Sequence, residues 1–202
     1  MTDIAISREG ISFGRTTVVA AVGELVDQQV EALVYPANSR GIMGAAGGSG
    51  GGAIRLLGGP DIEREAMALA PLELGTAVVT GAGRLTERGV FAVIHAVVAP
   101  ALGAPAKTET VRRAIGAAAR AADAQRLRSL AIPPLGVAAG GPQSRTTLSE
   151  AAVDELVAYL RRSSSRIERV IFVFRFEDEV QRVAATIARA RERTWIRQPW
   201  TT

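Results

Sequence analysis

The chain has 202 residues, 48% apolar and 22% charged, a globular composition with enough length for one sizeable core. Cysteine is absent and His95 is the single histidine, which excludes disulfides, thiolate chemistry, Cys-ligated zinc or iron–sulfur sites and any two-His metal site. Lys107 is the only lysine, and Ala101 and Ala106 stand where a G-x-x-x-x-G-K-[ST] phosphate loop needs glycine, so that loop is excluded; neither metal nor cofactor is expected.

The other basic residues are all arginine, and the net charge of +4 favours anionic ligands only weakly. One asparagine, Asn38, and no cysteine fit a heat-adapted source, because both residue types are thermally labile. No apolar run approaches the roughly 18 residues of a spanning helix. Met1–Arg15 lacks the apolar centre of a secretion signal, so a cytoplasmic protein is expected.

In chain order, Ile4–Ile6 and Ile11–Phe13 read as an edge hairpin. Thr16–Val22, Val30–Tyr35, Thr76–Thr80, Val90–Ala99, Ser129–Pro133 and Arg169–Phe174 read as strands. Most are continuous apolar runs, as in central strands buried on both faces. Between them, Asp61–Leu69, Glu109–Gln125, Thr146–Arg161 and Glu177–Arg193 have helical spacing. Thr147 with Glu150 has the spacing of a capping box. Alternating strands and helices predict a three-layer α/β/α fold with a central mixed, mostly parallel sheet. Residues 1–194 form one expected domain and 195–202 a tail. Trp195, Ile196 and Trp200 in that tail either pack back on the domain or make a dimer contact, which leaves monomer and homodimer open.

Ligands of open α/β sheets bind beyond the carboxyl ends of the strands. Two glycine-rich segments fall there: Gly44–Gly52, with Gly47, Gly48, Ser49, Gly50, Gly51 and Gly52, and Gly136–Gly141, with Val137, Ala138, Ala139 and Gly140. Such segments either serve as plain turns or offer backbone N–H groups as anion nests beside helix N-termini. Two nests would clamp a pyrophosphate without lysine. Gly48–Ala53 also matches a dinucleotide fingerprint, but more than ten residues separate it from the preceding strand, which disfavours a nicotinamide site. Asn38 ends a strand before the first segment. Its carboxamide could read a sugar hydroxyl pair or shape an Asx turn.

These residues resemble the macrodomain family, the ADP-ribose-binding module. Val30–Asn38 is similar to the family's V-D-A-I-V-N-A-A-N, and Gly47–Ile54 to G-G-G-V-D-x-A-I. Gly75–Thr80 is similar to G-x-A-x-x-T, Phe91–Val97 to Y-V-I-H-x-V, and Pro133–Gly141 to P-x-L-G-T-G-x-G-G. The resemblance covers roughly residues 16–190.

It implies a groove for ADP-ribose. Glu24 and Leu25 would fall at the adenine, Asn38 near the distal ribose, the two glycine segments at the phosphates, and Phe176 or Arg175 stacked on adenine. Departures are Tyr35 for the first family Asn, followed by Pro36, and Gly51 for the loop acid that some hydrolytic members use to handle water. Val137-Ala138 stands for Thr-Gly, and Gly140 for an aromatic residue.

The expected function is binding of ADP-ribose or a related ADP-ribosyl or nucleotide ligand. The alternative is a slow ADP-ribosyl hydrolase acting on protein, nucleic acid or an acetyl ester, with Asn38 and the ligand's own pyrophosphate orienting water. A third reading is nucleic-acid binding through the arginine-bearing faces around Arg112–Arg128 and Arg182–Arg197. His95 is expected to be structural.

Overall fold

The computed structural model describes residues 10–44, 51–136 and 141–193, with 141–144 described by backbone alone. The strands are β1 (Ile11–Phe13), β2 (Thr16–Val22), β3 (Ala32–Asn38), β4 (Ala77–Gly81), β5 (Ala92–Ala99), β6 (Ser129–Ile132) and β7 (Arg169–Phe174). The helices are α1 (Gly51–Gly58), α2 (Asp61–Ala68), α3 (Thr108–Ala124), α4 (Gly141–Arg162) and α5 (Glu177–Glu192), with 3-10 turns at Leu25–Asp27 and Gly83–Arg88.

The strands form one mixed sheet in the order β1-β2-β7-β6-β3-β5-β4. The pairs β2–β7, β7–β6, β6–β3 and β3–β5 are parallel, while β1 and β4 pair antiparallel at the two edges. β1 is the second arm of the expected N-terminal hairpin; Ile4–Ile6 lies outside the described residues.

Strand side chains alternate between two cores, as the period of two requires. Val34, Ile94, Ile132, Phe172 and Phe174 pack with α3, α4 and α5. Leu33, Tyr35, Val93, Ala131, Ile171 and Val173 pack with α1, α2 and the 3-10 turns through Ile54, Ile62, Leu25 and Leu85. Burial on both faces accounts for the continuous apolar runs.

Three element boundaries depart from the sequence reading. β3 runs on through Pro36 to Asn38. The sheet tolerates Pro36 because β6 pairs with β3 only at Ala32 and Leu33, leaving that flank unpaired beyond them. α4 begins at Gly141, so Thr147 sits inside the helix and is not its cap. Gly141-Pro142 looks like a breaker, yet proline in a first turn forfeits no intrahelical hydrogen bond. Gly51 and Gly52, expected in a loop, are the first residues of α1. Ile54 anchors that helix in the core, and two glycines at its start cost less than they would inside it.

His95 is fully buried on β5. Thr80 Oγ1 donates to the Gly81 carbonyl at 3.2 Å, so His95 Nε2–H donates to Thr80 Oγ1 at 3.0 Å. That leaves buried Nδ1 without a partner among the described residues, and burial pushes the imidazole pKa down to about 4. Between the ordinary value of 6.5 and about 4, the unfolded chain binds more protons than the folded one. Folding stability therefore holds above pH 6.5 and falls as pH drops toward 4, by about 3 kcal/mol in full. Urea unfolding across pH 4–7 should show this slope, and His95→Gln should remove most of it.

Candidate functional site

Parallel pairing sets the carboxyl ends of β2, β7, β6 and β3 side by side on one edge. Three strand spacings of ~4.8 Å carry this row over roughly 14 Å. In spatial order it presents Glu24 and Leu25 after β2, Arg175 and Phe176 after β7, the Pro133–Gly136 exit of β6, and Asn38–Gly44 after β3.

At the β2–β7 end, the Gly23 N–H donates to the Phe174 carbonyl at 2.9 Å, which continues the strand pairing into the exits. The Glu24 carboxylate meets Arg175 by two contacts, from Nε at 3.3 Å and from Nη2 at 3.4 Å. Both side chains are about half exposed, so solvent screens the pair and it orients more than it stabilises. Leu25 is buried beneath them. Phe176 is 58% exposed at the start of α5, next in sequence to the Arg175 that pairs with Glu24. A cleft lies next to it between α4 and α5, lined by Arg145, Ser149, Phe174, Phe176, Glu179 and Arg182.

At the β3 end, Asn38 is 3% exposed and its carboxamide serves its own turn. Nδ2 donates to the Ile42 carbonyl at 2.7 Å, and Oδ1 accepts the Arg40 N–H at 3.0 Å. The Gly41 N–H closes the turn on the Asn38 carbonyl at 3.0 Å. Gly41 has φ +71°, and a Cβ there would stand 2.7 Å from the Ala66 carbonyl, so this turn needs glycine twice over. Asn38 thus shapes the segment, with one N–H and one lone pair of its carboxamide left over.

Two residues to which sequence reasoning gave no role at the site hold the next stretch. Glu63 of α2 accepts the Met43 N–H at 2.7 Å and pairs with Arg55 of α1 at 3.0 Å. The Tyr35 hydroxyl accepts the Gly44 N–H at 3.3 Å. An ideal Cβ on Gly51 would stand 2.5 Å from Tyr35 Cε2 and 2.9 Å from its Cζ and Oη, so the tyrosine ring occupies the space a side chain at 51 would need. The ring also packs edge-on against His95, centroids 5.7 Å apart. Burial, the largest influence, raises the Tyr35 pKa above its ordinary value; the phenol is neutral at physiological pH. No sequence signal marks Glu63, and Tyr35 is visible only as a departure from the family pattern, since both act through packing between distant elements.

At the β6 exit, Gly136 has φ +79°, and a Cβ there would collide with Ala106. Gly47, Gly48, Ser49, Gly50, Val137, Ala138, Ala139 and Gly140 lie outside the described residues. The two glycine-rich segments run into the first residues of α1 and α4 respectively. Helix N-termini carry partial positive charge and unpaired N–H groups, so the site's charge comes from main chain as well as from Arg175.

The two arginine-bearing helix faces carry much internal neutralisation. Arg113 pairs with Glu73 at 3.5 Å, Arg189 with Glu150 at 3.3 Å, Arg193 with Asp154 at 3.2 Å, and Arg182 with Asp178.

Asn38→Ala should cost about 1–2 kcal/mol of stability, because it leaves the Ile42 carbonyl and Arg40 N–H without their partner. Urea unfolding at pH 7 measures the loss, and amide exchange at Arg40 should rise.

Comparison with known proteins follows the same fold. The family model described as Macro domain matches residues 34–151. An uncharacterised protein of Aquifex aeolicus is 37% identical over 160 residues, covering 79% of this chain and 90% of its own length. One from Aeropyrum pernix is 36% identical over 142 residues, covering 70% and 72%. Among solved structures, an Oceanobacillus iheyensis macrodomain with ADP superposes with a TM-score of 0.75 at 18% identity, covering 91% of this chain and 96% of that one. A Trypanosoma brucei macrodomain in complex with ADP-ribose gives 0.70 at 22% identity, covering 84% and 68%.

Proposed function

Because the chain belongs to the Macro domain family, we propose that the row of strand ends is a groove for ADP-ribose or a closely related ADP-ribosyl ligand. The observation that carries this reading is the order of groups along one edge. An exposed aromatic face and a carboxylate stand at the β2–β7 end, and glycine-rich exits leading into helix N-termini stand at the β6 and β3 ends. An adenine belongs on Phe176 with Glu24 as acceptor for its amino group, and a diphosphate belongs at the glycine segments. The solved macrodomains with ADP and with ADP-ribose support this assignment by their likeness in fold.

We assign binding rather than turnover. General-base catalysis is worth ~10²–10⁴-fold and needs a basic group free to take a proton. Asn38 is held by its own turn, and position 51 carries no side chain. The Glu63 carboxylate is occupied by the Met43 N–H and Arg55. With none of these three groups among the described residues free to act as base, hydrolysis here would depend on the substrate's own phosphates and would be slow.

Titration calorimetry with ADP-ribose should show saturable binding, and Phe176→Ala should weaken it about tenfold through loss of one stacked base. Phe176→Tyr should preserve the affinity. Absence of heat at millimolar ADP-ribose would remove the reading.

A further inference from the structure

We infer that Tyr35 is a positioning residue that holds Gly44 and Gly51, on either side of residues 45–50, and thereby fixes where the N-terminus of α1 meets the diphosphate. The ligand consequence rests on the ADP-ribose reading above; the placement of the two ends does not.

Six residues lie between positions 44 and 51, enough chain to span more than ~20 Å when extended. Yet both ends touch one phenol. Gly44, at the near end, donates its N–H to the Tyr35 hydroxyl at 3.3 Å. Gly51, at the far end and the first residue of α1, lies so close to the ring that a Cβ would stand 2.5 Å from Cε2. The phenol therefore ties the start and finish of the segment to the sheet across the width of one ring.

Its own position is fixed. Tyr35 is 1% exposed in the middle of β3, and it packs edge-on against His95, which Thr80 holds in turn. A buried ring in a close-packed core has little room to move aside. Lys107 is remote in sequence from this segment and no lysine lies within it, so the geometry of backbone groups has to do what a phosphate-binding lysine does elsewhere. That geometry depends on where the segment begins and ends. Tyr35 and Gly51 are consequently one unit: the tyrosine needs the glycine, and a side chain at 51 needs a smaller residue at 35.

The test uses the whole chain and two ligands, ADP-ribose and adenosine. Adenosine reports only on the Glu24–Phe176 end. In Tyr35→Phe, amide exchange at Gly44 should rise about three- to tenfold with the loss of one hydrogen bond. ADP-ribose affinity should fall by a similar factor while adenosine affinity is unchanged. Gly51→Ala should reproduce the ADP-ribose defect, and Tyr35→Leu added to Gly51→Ala should restore part of it by vacating the ring's space.

Equal weakening of both ligands in Tyr35→Phe would make the residue general structural support and overturn the inference. So would wild-type exchange at Gly44 together with wild-type ADP-ribose affinity. If the unaltered protein binds neither ligand, the ADP-ribose reading fails. Exchange at Gly44 and α1 then decides the positioning role alone, with faster exchange in Tyr35→Phe upholding it and unchanged exchange rejecting it.

Discussion

Parallel hydrogen bonding from β2 through β7 and β6 to β3 is the constraint on which the site depends. Antiparallel pairing anywhere in that row would send one of its exits to the opposite edge and split the groove. Register is held by burial on both faces. In β7, Ile171 and Val173 face one core while Val170, Phe172 and Phe174 face the other, so a slip of one residue would exchange the two sets. Large aromatic rings and small Ile or Val side chains would then sit against the wrong helices. The same packing that stabilises the sheet therefore fixes which residues emerge at its carboxyl edge: Glu24 after β2, Arg175 after β7, Gly136 after β6.

Much of this architecture was legible from the residues because its strands are short, apolar and β-branched. Thr16–Val22 and Arg169–Phe174 have the same limits in sequence and structure. Failures fall where glycine or proline mimics a loop. Gly51–Gly58 and the Gly141-Pro142 start of α4 are helical because tertiary packing, through Ile54 and through Leu148, Val153 and Leu156, outweighs poor local propensity. At the site, exposed aromatic and acidic residues just past strand ends, Phe176 and Glu24, are visible as candidates by position alone. The engagement of Asn38 by Arg40 and Ile42 was one of two readings that its type allows, and only the turn's geometry chooses between them. Glu63 was illegible and Tyr35 legible only as a departure from the family pattern, since a contact between α2 and residue 43, or between a strand centre and a helix start, leaves no local pattern.

Composition was a weaker guide than placement. An arginine-rich chain suggests a polyanion surface, but many of these guanidinium groups have local duties. Arg161 accounts for three hydrogen bonds at the end of α5, to the carbonyls of Ala190, Arg191 and Arg193, and its guanidinium lies over Phe13, 5.4 Å from the ring centre. It thereby closes the last turn of α5 and ties it to β1, satisfying carbonyls that the helix itself cannot. Arg175 likewise has a local duty: by holding Glu24 from the neighbouring strand exit, it fixes the direction of that carboxylate.

Under the proposed reading, in which main-chain amides hold the diphosphate, the site would place unusual demands on sequence. Amide N–H groups are supplied by every residue except proline, so residues inside a cradle can vary in type while the chain keeps its path. What cannot vary independently are the residues that fix the path. Gly41 is required by its φ and by Ala66, Gly136 by its φ and by Ala106, and Gly51 by the ring of Tyr35. The fold itself persists at 18–22% identity to the solved macrodomains. A tyrosine ring at 35 is admissible only where position 51 carries no side chain, so Tyr35 and Gly51 are, in packing, each other's condition.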